Sequence, residues 1–313
     1  MKYLSLFSGI GGFELGIKQA YFSKERLHFD DGPECVGYSE IDKYATQIYQ
    51  KQFKDHKNYG DITKIDASEL PAFDMLVGGF PCQSFSIAGK RGGFEDARGT
   101  MFFEIARIIK EKQPRLLLLE NVKGLLSHDK GQTFRTIIST LDELGYDCQW
   151  QVLNSKNHGV PQNRERVFII GHLRGTSRPQ VFPLGGCGKE VVGKETRGVQ
   201  ANCLTATCHK GAGNDGMTLL QLNKPTHSND RVYGTDGVSP TLNTMQGGNR
   251  QPFIPEDIRI RRLTPTECER LQGFPDGWTE GISDTQRYKC CGNAVTVNVI
   301  RNIMNCLYET IQD

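Results

Sequence analysis

The feature that most constrains this chain is an alternation: through the first 171 residues, short apolar runs take turns with segments whose apolar residues recur at helical spacing. Such a pattern points to a parallel sheet covered by helices, because each strand needs a crossover before the next can lie beside it. Strands are predicted at 3–7, 35–39, 73–77, 116–119, 148–153 and 167–170, with helical segments at 99–112 and 133–144. After Gly171 the texture turns to Gly, Thr, Asn and Pro until about Pro255, which predicts an inserted second domain of short strands and loops. Helical spacing returns over 264–271 and 295–311, so the C-terminal segment is expected to rejoin the first domain. The expected division is 1–171 completed by 283–313, with a smaller, mostly β and loop domain over 172–282.

At 313 residues the chain can bury one large α/β core and a second, smaller one. Neither end carries a long apolar run, and a strand-like stretch follows Met1 at once, so neither a signal peptide nor a membrane span is expected and the protein is expected in the cytoplasm. Ten cysteines in such a chain read as reduced thiols packed as small apolar groups. Cys187, Cys203, Cys208 and His209 are close in sequence, but none of their spacings is the two-residue gap of a zinc site, and no metal is expected. A net charge of +2 neither demands nor excludes a nucleic-acid partner, since the distribution of basic residues matters more than their sum.

Chemistry is concentrated where strands end. The first strand runs into Phe7-Ser8-Gly9-Ile10-Gly11-Gly12-Phe13-Glu14, whose glycines let backbone approach a ligand at a helix N-terminus. Glu14 stands where the third glycine of a dinucleotide fingerprint belongs, which argues against a pyrophosphate. Glu40 ends the second strand, where an acid suits two ribose hydroxyls, although taken alone it reads rather as a solvated loop acid. The third strand leads to Gly78-Gly79-Phe80-Pro81-Cys82-Gln83, so Cys82 falls just past the carboxyl end of a buried strand, where open α/β sheets bind ligands. An isolated cysteine is usually a packed thiol. The glycine-rich, basic stretch over 84–98, suited to motion and to phosphates, favours a nucleophile instead.

The apolar run 116–119 reads as a strand buried on both faces that delivers Glu120-Asn121-Val122 to the same edge. A carboxyl there is a candidate for a raised pKa and could donate as well as accept a hydrogen bond. Gln162-Asn163-Arg164-Glu165-Arg166 precedes the strand at 167; if that strand runs antiparallel, its start shares the edge. Within the insert, Cys203-Leu204-Thr205-Ala206-Thr207 and Pro240-Thr241-Leu242-Asn243-Thr244 each lead into a glycine-rich loop. Such loops could face one ligand or be ordinary hairpins.

Taken in order, these segments resemble the motif series of the bacterial cytosine-5 DNA methyltransferases of restriction-modification systems. The matching segments are the glycine loop, the acid after the second strand, Gly60-Asp61-Ile62-Thr63, Pro81-Cys82-Gln83, Arg98-Gly99-Thr100-Met101-Phe102-Phe103-Glu104, Glu120-Asn121-Val122 and Gln162 to Arg166. Arg262-Leu263-Thr264-Pro265, Leu271-Gln272-Gly273-Phe274-Pro275 and Gly292-Asn293-Ala294-Val295 follow near the end. The resemblance spans nearly everything but roughly 172–257. Cys290 and Ala294 depart from it, standing where the family usually has Gln and often has Ser.

The resemblance implies a Rossmann-like S-adenosylmethionine-dependent methyltransferase sheet, with 1–171 (completed by 283–313) as catalytic and cofactor domain and 172–282 as target-recognition domain. It implies that the Cys82 thiolate adds to cytosine carbon 6, that Glu120 bonds ring nitrogen 3 and the amine, that Arg166 holds the carbonyl at carbon 2, and that Arg164 and Asn121 keep the acid and loop in place. Phe7, Gly9, Gly11 and Gly12 are then expected to line the methionine part of S-adenosylmethionine, Glu40 the ribose, and Asp61 with Ile62 the adenine, with Pro81, Met101, Asn293 and Val295 completing the pocket. Because a duplex hides the ring, the nucleotide must be flipped out, with closure of 84–98 offsetting the cost. DNA contacts are expected from Phe80, whose carbonyl would accept from the amine, and from Gln83, Arg98, Thr205, Thr241 and Arg250, with Arg250 the first candidate for a base contact, to a guanine, and a phosphate contact nearly as well supported by the sequence. The expected partners are double-stranded DNA and a restriction endonuclease of the same specificity, with the protein itself a monomer. The alternatives are a transfer-RNA cytosine methyltransferase and a non-catalytic DNA-binding relative; retention of Cys82, Glu120, Arg164 and Arg166 weighs against the second.

Overall fold

A computed structural model of the chain describes residues 1–23, 32–81, 101–177, 179–184, 221–223, 231–242, 251–256 and 259–310. They fall in two compact units: Met1–Leu153 with Glu165–Cys187 and Ile300–Asp313, and Asn154–Arg164 with Gly188–Val299.

The first unit is built in chain order from β1 (Lys2–Leu6), α1 (Gly12–Phe22), β2 (Glu34–Ser39), α2 (Lys43–Gln52), β3 (Met75–Gly79), α3 (Met101–Lys112), β4 (Leu116–Val122), α4 (Gln132–Glu143) and β5 (Tyr146–Asn154). Two strands follow: the short β6 (Gln162–Asn163) in the second unit and the long β7 (Glu165–Leu173) in the first. The six-stranded sheet has the order β2-β1-β3-β4-β7-β5. β1 pairs in parallel with β2 and β3, and β3 with β4, whereas β7 runs antiparallel to β4. The chain leaves β1 for β2 on one side and returns to β3 on the other, so the crevice where α/β sheets take ligands opens at the carboxyl end of β1.

The expected runs form the sheet because their apolar residues are covered on both faces. Leu76, Leu117 and Leu119 are all but sealed from solvent, and α3 lays Phe102, Phe103, Ile105, Ala106, Ile108 and Ile109 against the same core. Full burial of each such side chain is worth about 1.5–3 kcal/mol, so this layer holds the sheet edge rigid enough to carry side chains in register. β3 ends two residues later than the apolar run predicts, because Gly78 and Gly79 pair with Leu119 and Glu120.

In the second unit, β6 pairs in parallel with β8 (Ser239–Pro240), and β9 (Phe253–Glu256) forms an antiparallel pair with β10 (Arg259–Arg262). Helix α5 (Pro265–Leu271) starts at a capping box: the Thr264 hydroxyl accepts from Glu267 N–H, the Glu267 carboxylate accepts from Thr264 N–H, and Pro265 opens the helix. α6 (Asp284–Asn293) follows, and α7 (Val297–Thr310) begins in this unit and passes into the first at Ile300. Leu242, Leu263, Cys268, Leu271 and Cys291 form a small core. Among the described residues no helix is long and apolar enough to cross a membrane.

Candidate active site

After β1 the backbone enters the left-handed region three times, at Phe7 (φ 53°), Gly9 (φ 57°) and Gly11 (φ 88°), producing a tight loop that ends at the first residue of α1. Phe7 is costly there, since a side chain disfavours that conformation, and strain of this kind persists only where its surroundings enforce it. Glu40 helps to enforce it. Its Oε2 accepts from Gly9 N–H at 2.9 Å, while Oε1 accepts from the N–H groups of Ile41 (2.9 Å) and Asp42 (2.7 Å). One carboxylate thus ties the loop after β1 to the turn after β2. Asp61 caps the short turn Ile62–Lys64, its Oδ1 accepting from Thr63 N–H at 3.0 Å and Thr63 Oγ1 at 2.8 Å; these bonds hold its carboxyl below the usual carboxylate range, and Ile62 beside it is buried.

The turn has a second support that sequence reading missed. From α3, Arg107 donates through Nη2 to the Ile62 carbonyl (3.0 Å) and through Nη1 to the Ile65 carbonyl (2.9 Å), while its Nε bonds Glu104 at 2.9 Å. The i,i+3 spacing of Glu104 and Arg107 was the only signal available. Met101, the first residue of α3, packs partly buried on the main core.

At the carboxyl ends of β3 and β4, Glu120, Asn121 and Arg166 come together with Phe80. Gly79 lies opposite Glu120, and a Cβ at Gly79 would stand 3.0 Å from Glu120 Oε2, so the missing side chain leaves room for the acid. Because β7 is antiparallel, its start returns to this edge, with Arg166 opposite Val122. Arg166 Nε sits 3.1 Å from Glu120 Oε1, with the two side chains only 16% and 12% exposed. Burial draws the Arg166 pKa down and the Glu120 carboxylate opposes it. Buried Asn121 donates from Nδ2 to the Phe80 carbonyl at 2.9 Å and accepts at Oδ1 from Val122 N–H at 2.8 Å. Phe80 is buried and Pro81 is exposed; Cys82, Gln83 and Arg98 lie outside the described residues. This edge therefore presents a carboxylate and a guanidinium, complementary to a planar heterocycle bearing donors and acceptors.

Other expected site residues belong to the second unit. Buried Arg164 donates to three carbonyls there: Leu242 (3.1 Å), Gly292 (3.1 Å) and Ala294 (2.8 Å). The work visible in these bonds is knitting that unit together. Gln162 assists, donating to the Leu271 carbonyl at 2.8 Å. Asn293 is exposed at the end of α6, while Cys290, Ala294 and Val295 are buried. Thr241 donates from Oγ1 to the Asn163 carbonyl at 2.6 Å. Thr205, Arg250, Cys187, Cys203, Cys208 and His209 lie outside the described residues.

Comparison with known proteins gives a consistent picture. The family model for C-5 cytosine-specific DNA methylase matches residues 1–309. The chain is 40% identical to the type II methyltransferase M1.ScrFI of Lactococcus lactis subsp. cremoris, over 99% of this chain and 79% of that one. It is 35% identical to the type II methyltransferase M.HhaI of Haemophilus parahaemolyticus, over 97% and 93% respectively. Among solved structures, the fold is similar to the S. pombe Dnmt2 methyltransferase, with a TM-score of 0.72 at 17% identity over the whole of both chains. With the glycine loop, the acid of β2 and the Glu120–Arg166 edge in one sheet, and with this similarity along nearly its full length, the chain belongs to the C-5 cytosine-specific DNA methylase family.

Proposed function

We propose that the protein transfers a methyl group from S-adenosylmethionine to carbon 5 of a cytosine flipped out of a specific duplex DNA sequence, with Cys82 as covalent nucleophile. The observation that carries this reading is the largely shielded Glu120–Arg166 pair on the edge reached by Phe80 and Pro81, the two residues before Cys82.

The glycine loop fits the cofactor. Its backbone ends at the N-terminus of α1, which favours a carboxylate. Glu40 and the buried Ile62 offer a hydroxyl acceptor and an apolar wall for the nucleoside. Phe7, Gly9, Gly11 and Gly12 would hold the methionine end, Glu40 the ribose, and Asp61 with Ile62 the adenine. Bound there, the cofactor supplies an electrophilic methyl group.

Carbon 5 of cytosine is a poor nucleophile until a group adds at carbon 6. The Cys82 sulfur forms that bond, and the electron pair of the 5,6 double bond moves into the ring, where Glu120 at nitrogen 3 and the amine, and Arg166 at the carbon 2 carbonyl, offset the charge. Asn121 fixes the Phe80 carbonyl on the approach to Cys82. Once carbon 5 carries the methyl group it loses its proton to a base, and elimination frees the thiolate. The test is covalent trapping on duplex DNA containing 5-fluorocytosine, whose fluorine cannot leave as a cation: an adduct is expected with the native protein and none with Cys82→Ser.

Sequence choice is assigned to residues 172–282, with Thr241, Thr205 and Arg250 as candidate contacts and Arg250 reading a guanine. This rests on the side chains these positions offer and on the absence of shared chemical motifs over 172–257. Exchanging 172–257 for the segment of a relative with another specificity is expected to move the methylated site. The type II naming of the relatives supports a partner endonuclease of matching specificity; work as a monomer in the cytoplasm is part of the same proposal.

A further inference from the structure

Behind the glycine loop lies a buried polar cluster that the proposed chemistry leaves unused. Glu14, in the first turn of α1, is sealed from solvent, and its Oε1 accepts from the Tyr49 hydroxyl at 3.0 Å. The same Tyr49 oxygen lies 3.0 Å from His56 Nδ1. The chain of contacts returns to the loop: His56 stacks on Phe53, with centroids 5.1 Å apart, and the Phe53 ring fills the space a Cβ would take at Gly11. The groups facing Glu14 are Ser5 and Tyr3 from β1, Cys35 and Tyr38 from β2 and Tyr49 from α2, while Lys18 and Asp55 act on His56 and Tyr308 acts on Tyr3.

We propose that Glu14 is a positioning residue for the methyl donor: it shares a proton-dependent hydrogen-bond chain with Tyr49 and His56, and cofactor binding at the glycine loop draws a proton onto it. The proposal rests on the reading that this loop holds the methionine end of S-adenosylmethionine. Burial pushes Glu14 up to about 7, against the hydroxyls of Ser5 and Tyr49, which favour the charged form. Burial also keeps Tyr3, Tyr38, Tyr49 and Cys35 protonated, Cys35 being pushed up to about 12, and lowers His56.

Two states of the chain balance. In the charged state Tyr49 donates to the Glu14 carboxylate and His56 donates from Nδ1 to the Tyr49 oxygen. When Glu14 takes one proton from solvent it donates to the Tyr49 oxygen, Tyr49 donates to His56 Nδ1, and His56 keeps its single proton on Nε2. The Glu14–Tyr49 and Tyr49–His56 contacts each keep one donor and one acceptor in both states, so a proton can be gained without breaking either bond, while Glu14 Oε2 has no hydrogen-bond partner among the described residues. The direction follows from seating the ligand's carboxylate, and not its ammonium group, at the N-terminus of α1. A first-turn carboxylate and the carboxylate of a ligand at the same helix N-terminus are like charges served by one positive end, so ligand binding favours neutral Glu14.

The experiment is calorimetric titration of the protein with S-adenosylhomocysteine near pH 7 in buffers of different ionisation enthalpy. The native protein is expected to take up a fraction of a proton more than Glu14→Gln, since a group partly ionised when free becomes protonated when bound. Nitrogen NMR of His56 in the native protein is expected to show the ligand moving its proton from Nδ1 to Nε2, which needs no variant to fold. Equal proton counts in the native protein and Glu14→Gln, a net release, or an unmoved His56 tautomer on ligand binding would each overturn the proposal. Failure of the native protein to bind S-adenosylhomocysteine would instead overturn the reading of the loop on which it rests.

Discussion

Arg166 Nε meets Glu120 Oε1 at 3.1 Å across two neighbouring strands that run in opposite directions. The pair exists because one strand ends where the other begins. Neither charge would be tolerated alone at this depth, so each is the condition for the other. Arg166→Met is therefore expected to lower unfolding free energy by about 3–5 kcal/mol, the usual cost of stranding a buried charge. Glu120→Gln keeps shape and hydrogen bonding but not charge, and is expected to slow methyl transfer about 100-fold with little change in cofactor affinity. Denaturant unfolding and single-turnover kinetics separate the two effects. Loss of cofactor binding in Glu120→Gln with unaltered turnover would show the acid serving the wrong ligand.

From a buried position Asn121 bonds the carbonyl of Phe80, two residues before Cys82, the nucleophile of the proposed reaction. Asn121→Ala leaves that carbonyl and Val122 N–H without their partner, at about 1–3 kcal/mol. Turnover is expected to fall while cofactor affinity holds. An equal loss of both would place the damage in the fold as a whole.

Arg107 supports the turn that carries Asp61 and Ile62 through two carbonyls at once. A lysine can reach one of them as a point donor but cannot fork to both. We expect Arg107→Met to weaken cofactor binding about tenfold, or about 1.4 kcal/mol, and Arg107→Lys to lie between it and the native protein. Equilibrium binding of S-adenosylhomocysteine gives the ranking, and a lysine variant no better than methionine would contradict it.

Glu14 also makes stability depend on pH. Its folded value of about 7 lies above the 4.5 of an exposed glutamate, so the folded state holds a proton that the unfolded chain releases. The contribution is fully present below about 4.5 and is lost as pH rises through 7. The whole change is about 3 kcal/mol, from about 1.4 kcal/mol per unit. Unfolding free energies at pH 5 and pH 8 should show this slope in the native protein and a flatter one in Glu14→Gln; parallel slopes would refute it. Glu267 works in the opposite sense: Arg261 holds it at about 2, so its contribution is present above 4.5 and fades as pH falls toward 2.

The sheet was legible because its strands are local apolar runs, and 116–119 marked β4 by composition alone. Its continuation through Glu120 and Asn121 was not, since a partner strand supplies that pairing: Phe168 and Val167 lie opposite them. Gly78 and Gly79 likewise read as loop until β4 claims them. Among site residues, Glu120 and Arg166 could be brought to one edge by topology. The carbonyl partners of Arg164 could not, because they lie 78, 128 and 130 residues away and carbonyls leave no mark in the sequence. Glu14 was visible only as a missing glycine; that it faces Tyr49, 35 residues on, emerges when α1 and α2 dock.

The reversed course of β7 also separates two demands on one strand. Its first residues, at Arg166, hold the ion pair with Glu120, whereas its last, Leu173, donates its N–H to the Arg115 carbonyl beside the His172–Leu116 pair, at the far end of β4. Chain added or removed beyond Leu173 therefore pulls on the end of the sheet remote from Glu120, and a strand buried along most of its length absorbs that pull before it reaches the guanidinium. On the proposed assignment of sequence choice to 172–282, segments after β7 can be lengthened, shortened or replaced while the Glu120–Arg166 edge keeps its register, which would make this junction a seam for recombination between proteins of different specificity.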